Sequence, residues 1–124
     1  MGMDDDGVIV LGPGEGRAYS IGPMRGVFKA DHDDYCASEW SVEPGCGGPG
    51  PHSHPEQVEL FLVTEGTMSF LVGEEWLDAP AGTFLRVPAG VTHDFANRTD
   101  APARAYDVFI PGGGFEESFA SWAR

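Results

Sequence analysis

PHSHPEQVELFLVTEG, residues 51–66, sets two histidines and an acid at the start of an apolar strand pattern. On an extended chain residues i and i+2 point the same way, so His52 and His54 project together from a single strand. Pro55-Glu56-Gln57 then turns the chain. Within Val58–Val63, Glu59 shares a face with Phe61 and Val63. An acid heading an otherwise apolar face calls for something positive beside it, because an unpaired buried carboxylate is costly. A second stretch, GTFLRVPAGVTHDFAN at residues 82–97, carries the sharp turn Pro88-Ala89-Gly90 and then His93. That turn delivers His93 from a second hairpin toward the first. Three neutral imidazoles and one carboxylate make a nitrogen–oxygen set suited to a divalent first-row metal, with coordination positions left for a substrate.

Outward from these stretches the chain reads as short strands divided by turns. Val8–Leu11 is a short apolar run closed by Gly12-Pro13-Gly14 and reads as an edge strand. Tyr19–Ile21, Val27–Lys29 and Tyr35–Val42 follow, the last stopping at Pro44-Gly45. Thr67–Val72 leads into a tight turn at Gly73-Glu74-Glu75. Trp76–Leu77, Thr83–Val87, His93–Asn97 and Ala103–Ile110 complete the series. Turn signals every 8 to 12 residues along such a chain indicate a sandwich or barrel. Only the tail reads as helical: Phe115, Phe119 and Trp122 fall at i, i+4 and i+7, a stripe that packs on the sheet. The polar cluster Asp31-His32-Asp33-Asp34 lacks the Gly and later Glu of a calcium loop and reads as a solvated turn.

Composition supports this. The 124 residues and 13.2 kDa are enough for one domain with its own core. With 18 Gly and 10 Pro the chain is too rich in breakers for a helical bundle. Seven basic residues against twenty acidic ones give a net charge of −13, which argues against nucleic acid and anionic membrane surfaces as partners. No apolar run is long enough to span a bilayer. Asp4, Asp5 and Asp6 stand where a secretory leader would carry Lys or Arg, so the expected location is cytoplasmic. Cys36 and Cys46 match no zinc or redox spacing and are expected as free thiols.

The two stretches together resemble the cupin superfamily. Its first motif is Gly, five residues, His-x-His, three or four residues, Glu, six residues, Gly; His52, His54, Glu59 and Gly66 match it. Its second is Gly, five residues, Pro-x-Gly, two residues, His, three residues, Asn; Gly82, Pro88, Gly90, His93 and Asn97 match without a gap. One position departs: Cys46 stands where the first motif opens on Gly, flanked by Gly45 and Gly47. The resemblance implies an all-β chain, a single antiparallel β-barrel of jelly-roll type over residues 1–124, its core at about 35–111 and a short C-terminal helix at about 115–123. It implies one divalent transition metal, Fe, Mn, Ni, Cu or Zn, held by His52, His54, Glu59 and His93. Small cupins of this kind often pair through N-terminal strands, so a homodimer is expected, with Val8–Leu11 as an exchanged edge.

A finer likeness lies in Glu43-Pro44-Gly45 and in the ending Ile110-Pro111-Gly112-Gly113-Gly114-Phe115-Glu116. Both are similar to single-domain bacterial cupins of quercetin-dioxygenase-like type. That implies a metal-dependent dioxygenase acting on a small aromatic or enol-type compound, with Glu59 as ligand or as general base. Phe61, Phe70, Phe84, Phe95 and Trp40 are the candidate pocket walls. The same ligands would also serve a non-redox zinc isomerase or polyketide cyclase. A small-molecule-binding cupin without catalysis is the third reading, since fold alone does not settle function.

Overall fold

The structure, a computed structural model, describes residues 7–122; Asp4–Asp6 and the side chain of Trp122 lie outside what it describes. Ten strands and one helix run in chain order: β1 (Arg17–Ile21), β2 (Met24–Asp31), β3 (Cys36–Val42), β4 (Cys46–Gly47), β5 (Val58–Glu65), β6 (Thr67–Val72), β7 (Glu75–Pro80), β8 (Phe84–Val87), β9 (His93–Asn97), β10 (Ala103–Ile110) and α1 (Phe115–Trp122). They form a six-stranded sheet, β1-β2-β3-β10-β5-β8, and a four-stranded sheet, β4-β9-β6-β7, with every pair antiparallel. No helix among the described residues is long and apolar enough to cross a membrane.

Side-chain alternation builds the core. In β3, Cys36, Ser38, Trp40 and Val42 are buried while their neighbours are half-exposed. In β10, Ala103, Ala105, Asp107 and Phe109 point inward. The inward faces of both sheets meet in one cluster that includes Phe28, Trp40, Phe61, Met68, Phe70, Phe95 and Phe109. β9 departs from alternation, because all five of its residues are buried. Its polar members are satisfied by the chain around them: Asp94 Oδ1 accepts from Gly50 N and Phe95 N, and Asn97 Nδ2 donates to the carbonyls of Val42 and Ala101.

The sheets correct two expectations. They are not closed into a barrel. β4 has two residues and β8 has four, too few for a ladder to carry round the corners. At the corner where the chain passes from one sheet to the other, each pairing runs on by a single bond, Val63 N to Thr83 O at 3.0 Å beyond the β5–β8 ladder and Ala81 N to Gly66 O at 2.9 Å beyond the β6–β7 ladder. Val8–Leu11 is not a strand either. It lies over the outside of β2, β3 and β10. Ile9 and Leu11 line a shallow groove with Lys29, Ala30, Tyr35, Ala37 and Tyr106, while Val8 and Val10 stay exposed. Its side chains dock on the sheet, and no backbone ladder forms.

The other expected strands fall within β1 to β3 and β5 to β10, except that Tyr35 and Thr83 lie one residue before β3 and β8. The expected helix forms as α1, with Phe115 half-buried and Phe119 buried. Arg17 holds α1 to β1 through a two-pronged ion pair to Glu116, at 2.7 and 2.8 Å, and Tyr19 donates to the same carboxylate at 2.8 Å. Both thiols are free. Burial pushes the Cys36 thiol up to about 12, with Asp31 nearby adding to it, so this group stays protonated.

Candidate metal centre

His52, His54, Glu59 and His93 come together as the one metal-ligand group among the described residues. Each offers a donor atom, and the four atoms lie within 4.8 Å of one another. The elements that carry them are local consequences of the two motifs. Glu59 sits on the inward phase of β5, as its alternation with Phe61 and Val63 predicts. His93 opens β9. His52 and His54 do not lie on a regular strand. His52 forms an isolated bridge with His93: its N–H donates to His93 O at 3.0 Å, and its carbonyl accepts from His93 N–H at 2.8 Å. Proline on both sides of His52-Ser53-His54 keeps this stretch from extending a ladder.

The second motif's turn is what locks the first in place. Gly90, at φ 83°, donates its N–H to His54 O at 2.8 Å. Gly66, at φ 67°, lies where a Cβ would meet the Pro102 carbonyl. Asn97 Oδ1 accepts from the N–H and hydroxyl of Thr99, closing the turn after β9. Of the nine motif positions, four supply the cluster and the other five shape the chain around it.

Ring orientation suits a cation. His52 Nδ1 faces Gly50 O at 2.6 Å and His93 Nδ1 faces Val91 O at 2.9 Å. An Nδ1–H donated to a carbonyl leaves Nε2 as the lone-pair nitrogen, which is how metal-bound imidazoles are commonly fixed. His93 Nε2 lies 2.7 Å from Glu59 Oε1, and His54 Nε2 lies 3.6 Å from the same oxygen. His54 Nε2 is buried without a hydrogen-bond partner. Burial pushes His54 down to about 4, with His52 and His93 adding to the effect, and burial also lowers His52. Neutral imidazoles are the ligating form. Burial raises Glu59 to about 7, partly offset by a hydrogen bond with Asp107. A divalent ion reverses that and draws the carboxylate form. An orphaned imidazole nitrogen, three converging imidazoles and a buried carboxyl fit a divalent transition metal.

The cluster lies at the side of a cavity of about 270 Å³. Of the expected walls, Trp40 and Phe95 line it. Phe61 and Phe70 pack against each other at a tilt in the core, ring centres 4.8 Å apart, and do not line it. Phe84 is 62% exposed, because it takes the outward phase of β8 opposite Leu62. Met24, Phe109, Phe115 and Phe119 take the missing places. Phe115 and Phe119 arrive from α1, so the helix covers the cavity as well as packing on the sheet.

A second carboxyl was not anticipated. Asp107, on β10, lines the cavity and is 3% exposed. Burial raises it well above the usual carboxylate range, and the neighbouring Glu59 adds to the shift. The signal was present: Ala103, Ala105, Asp107 and Phe109 alternate just as Glu59, Phe61 and Val63 do.

These features have relatives. The family model described as Cupin domain matches residues 38–109, and the chain belongs to this family. Among solved structures it resembles an RmlC-like cupin from Shewanella frigidimarina, at TM-score 0.72 and 19% identity over 82% of this chain and 89% of that one. It also resembles KdgF from Halomonas sp., at TM-score 0.68 and 19% identity over 77% and 88% of the two chains. A predicted oxalate decarboxylase from Thermotoga maritima matches at TM-score 0.67 and 17% identity over 71% and 80%. At such identities the likeness establishes the fold alone. No curated protein matches the sequence.

Proposed function

We propose that this cupin is a metal-dependent dioxygenase that acts on a small aromatic or enol-type compound. The observation that carries the reading is a His-His-Glu-His cluster opening onto a cavity walled by Trp40, Phe95, Phe109, Phe115 and Phe119. His52, His54, Glu59 and His93 would hold the ion. When bound, a divalent Fe, Mn, Ni, Cu or Zn ion supplies Lewis acidity that lowers the pKa of a substrate hydroxyl. Glu59 is placed to accept the proton that the hydroxyl gives up, since its carboxyl is at the cavity wall and short of a counter-charge. The aromatic walls hold a flat ring and exclude water.

Metal-loaded protein given a panel of flavonols and catechols should consume dioxygen in a substrate-dependent way. Glu59→Gln should lower that rate by at least about a hundredfold, the contribution of a positioned general base. Turnover of an added compound under nitrogen by the zinc-loaded protein, with no oxygen uptake in air, would replace this reading with the isomerase or cyclase one.

The active form we propose is a homodimer. The exposed Val8 and Val10 flank an outer sheet face whose exposed Tyr106 and Leu62 sit opposite each other. Glu39, Glu65 and Arg104 on that face offer charges of both signs to a second copy across a two-fold axis. Sedimentation at high micromolar concentration should give the mass of two chains; a monomer there contradicts the dimer.

A further inference from the structure

We propose that Gly26 is the positioning residue that sets the size limit of the cavity: having no side chain, it lets the Trp40 indole lie back against β2, and the space this frees admits a single ring with a bulky substituent. The inference rests on the reading of the cavity as the place where a ligand meets the His-His-Glu-His cluster. It adds which residue decides how large that ligand can be.

The inward face of β2 runs Met24, Gly26 and Phe28, all buried. A glycine inside a strand weakens it and often marks the close approach of another group. Gly26 has no backbone reason to be glycine, since its φ is not in the left-handed region. The reason lies across the ladder, where Gly26 pairs directly with Trp40 on β3. A Cβ at residue 26 would stand 2.6 Å from Trp40 Cη2, 2.7 Å from Cζ2 and 2.9 Å from Cε2. All three atoms belong to one rigid ring system, so no rotation about a terminal bond relieves the contact. The indole would have to move by roughly 1 Å to restore an ordinary carbon–carbon separation.

Other groups hold the indole where it is. Its Nε1–H donates to Ser38 Oγ at 2.9 Å. Phe119 meets it edge-on at 4.6 Å and Phe28 edge-on at 6.1 Å, while Phe95 lies at 6.3 Å. The open space beside this buried ring is the cavity, which Trp40 lines. A side chain at residue 26 therefore drives the indole toward the cavity and narrows it. The cavity measures about 270 Å³. That exceeds the roughly 150 Å³ that holds a benzene and falls short of the roughly 300 Å³ at which pockets for drug-sized ligands begin. In a space of this size the position of one indole decides whether a ring keeps room for its substituent.

The test uses zinc-loaded protein under nitrogen, because zinc has no redox chemistry and binding is read without turnover. Catechol and 4-tert-butylcatechol carry the same pair of hydroxyls and differ in bulk, and calorimetry gives the ratio of their affinities. Wild type should bind the larger ligand at least as tightly as the smaller. Gly26→Ala should turn the ratio against the larger ligand by about tenfold or more, the scale on which an apolar pocket discriminates by size. Trp40→Phe removes the ring atoms that meet residue 26. In the double variant, Gly26→Ala with Trp40→Phe, the ratio should therefore lie within about twofold of that in Trp40→Phe alone. General loosening of the fold would lower both affinities together and leave the ratio unmoved. If Gly26→Ala alone does not fold, the double variant should fold and keep the ratio of Trp40→Phe. A wild type that rejects the larger ligand, a ratio unmoved in Gly26→Ala, or a double variant that fails to fold or to recover the ratio overturns the proposal. Zinc content of the same samples reports on the cluster separately. A wild type that takes up no zinc defeats the reading of the four ligands. The role of Gly26 is then decided on the same variants with toluene and tert-butylbenzene, which need no ion and should show the same shifts in ratio.

Discussion

His54→Ala should empty the metal centre and leave the fold standing. His54 lies on the stretch between β4 and β5, outside any ladder, and its Nε2 bonds to nothing in the protein. Its removal therefore orphans no buried donor or acceptor. What it costs the apoprotein is packing. The ring meets Phe109 at 4.9 Å and Phe115 at 6.2 Å, both edge-on, contacts worth about 1–2 kcal/mol together. Metal affinity should suffer far more. Loss of a residue that merely orients a ligand costs about 10- to 100-fold, so loss of a ligand itself should exceed about 100-fold. Elemental analysis and far-ultraviolet circular dichroism on the same sample check both halves. Full metal occupancy in the variant would remove His54 from the ligand set.

Asn97→Ala should do the reverse. Asn97 belongs to the second motif as firmly as His93 does, yet it faces away from the cluster and into the backbone. Its amide donates to the Val42 and Ala101 carbonyls, at 3.0 and 2.7 Å, and its oxygen accepts from the Thr99 N–H and hydroxyl, at 3.0 and 2.7 Å. The side chain is fully buried. Truncation leaves several of these groups without a partner. At about 1–3 kcal/mol for each group that ends up unsatisfied, the loss should reach about 3–5 kcal/mol. For a chain of this size that is a drop in Tm of roughly 10–20 °C. Metal content per folded chain should stay at the wild-type level. A Tm within a few degrees of wild type, or a metal-free folded variant, would contradict the assignment of Asn97 to structure alone. The two substitutions thus separate the motif into residues that hold the ion and residues that hold the chain.

The strands were legible where alternation is strong and turns are sharp. β6, β9 and β10 begin and end at the expected residues because Gly66, Gly73 and Pro88-Ala89-Gly90 interrupt the apolar pattern cleanly. Val8–Leu11 misled because four apolar residues before a Gly-Pro turn satisfy a strand pattern without naming a partner for the backbone. β4 was invisible, since Cys46–Gly47 is two residues of no strand character that pair only because Asn97 and Ala96 lie alongside. Whether the sheet closes depends on hydrogen bonds between residues far apart in sequence, which local pattern does not encode.

The ligand set was legible for a different reason. Metal chemistry demands particular residue types at particular spacing, and that demand survives in the chain as motif. Cavity walls carry no such mark. Phe84 and Phe95 look alike in sequence, but one faces solvent and the other the cavity, and only the phase of each strand decides it. Asp107 was within reach. The reasoning that singled out Glu59, an acid on an otherwise apolar face, applies unchanged to β10.

The account stands on one ion shared by residues from two hairpins. Crystals grown with zinc, with diffraction recorded above and below the zinc absorption edge, test it most directly. One anomalous peak should lie within bonding distance of His52, His54, Glu59 and His93 together, at about 2.0–2.2 Å from each donor atom. A peak bound elsewhere on the chain, or fully occupied zinc that leaves Glu59 or any of the three imidazoles unbonded, would contradict it.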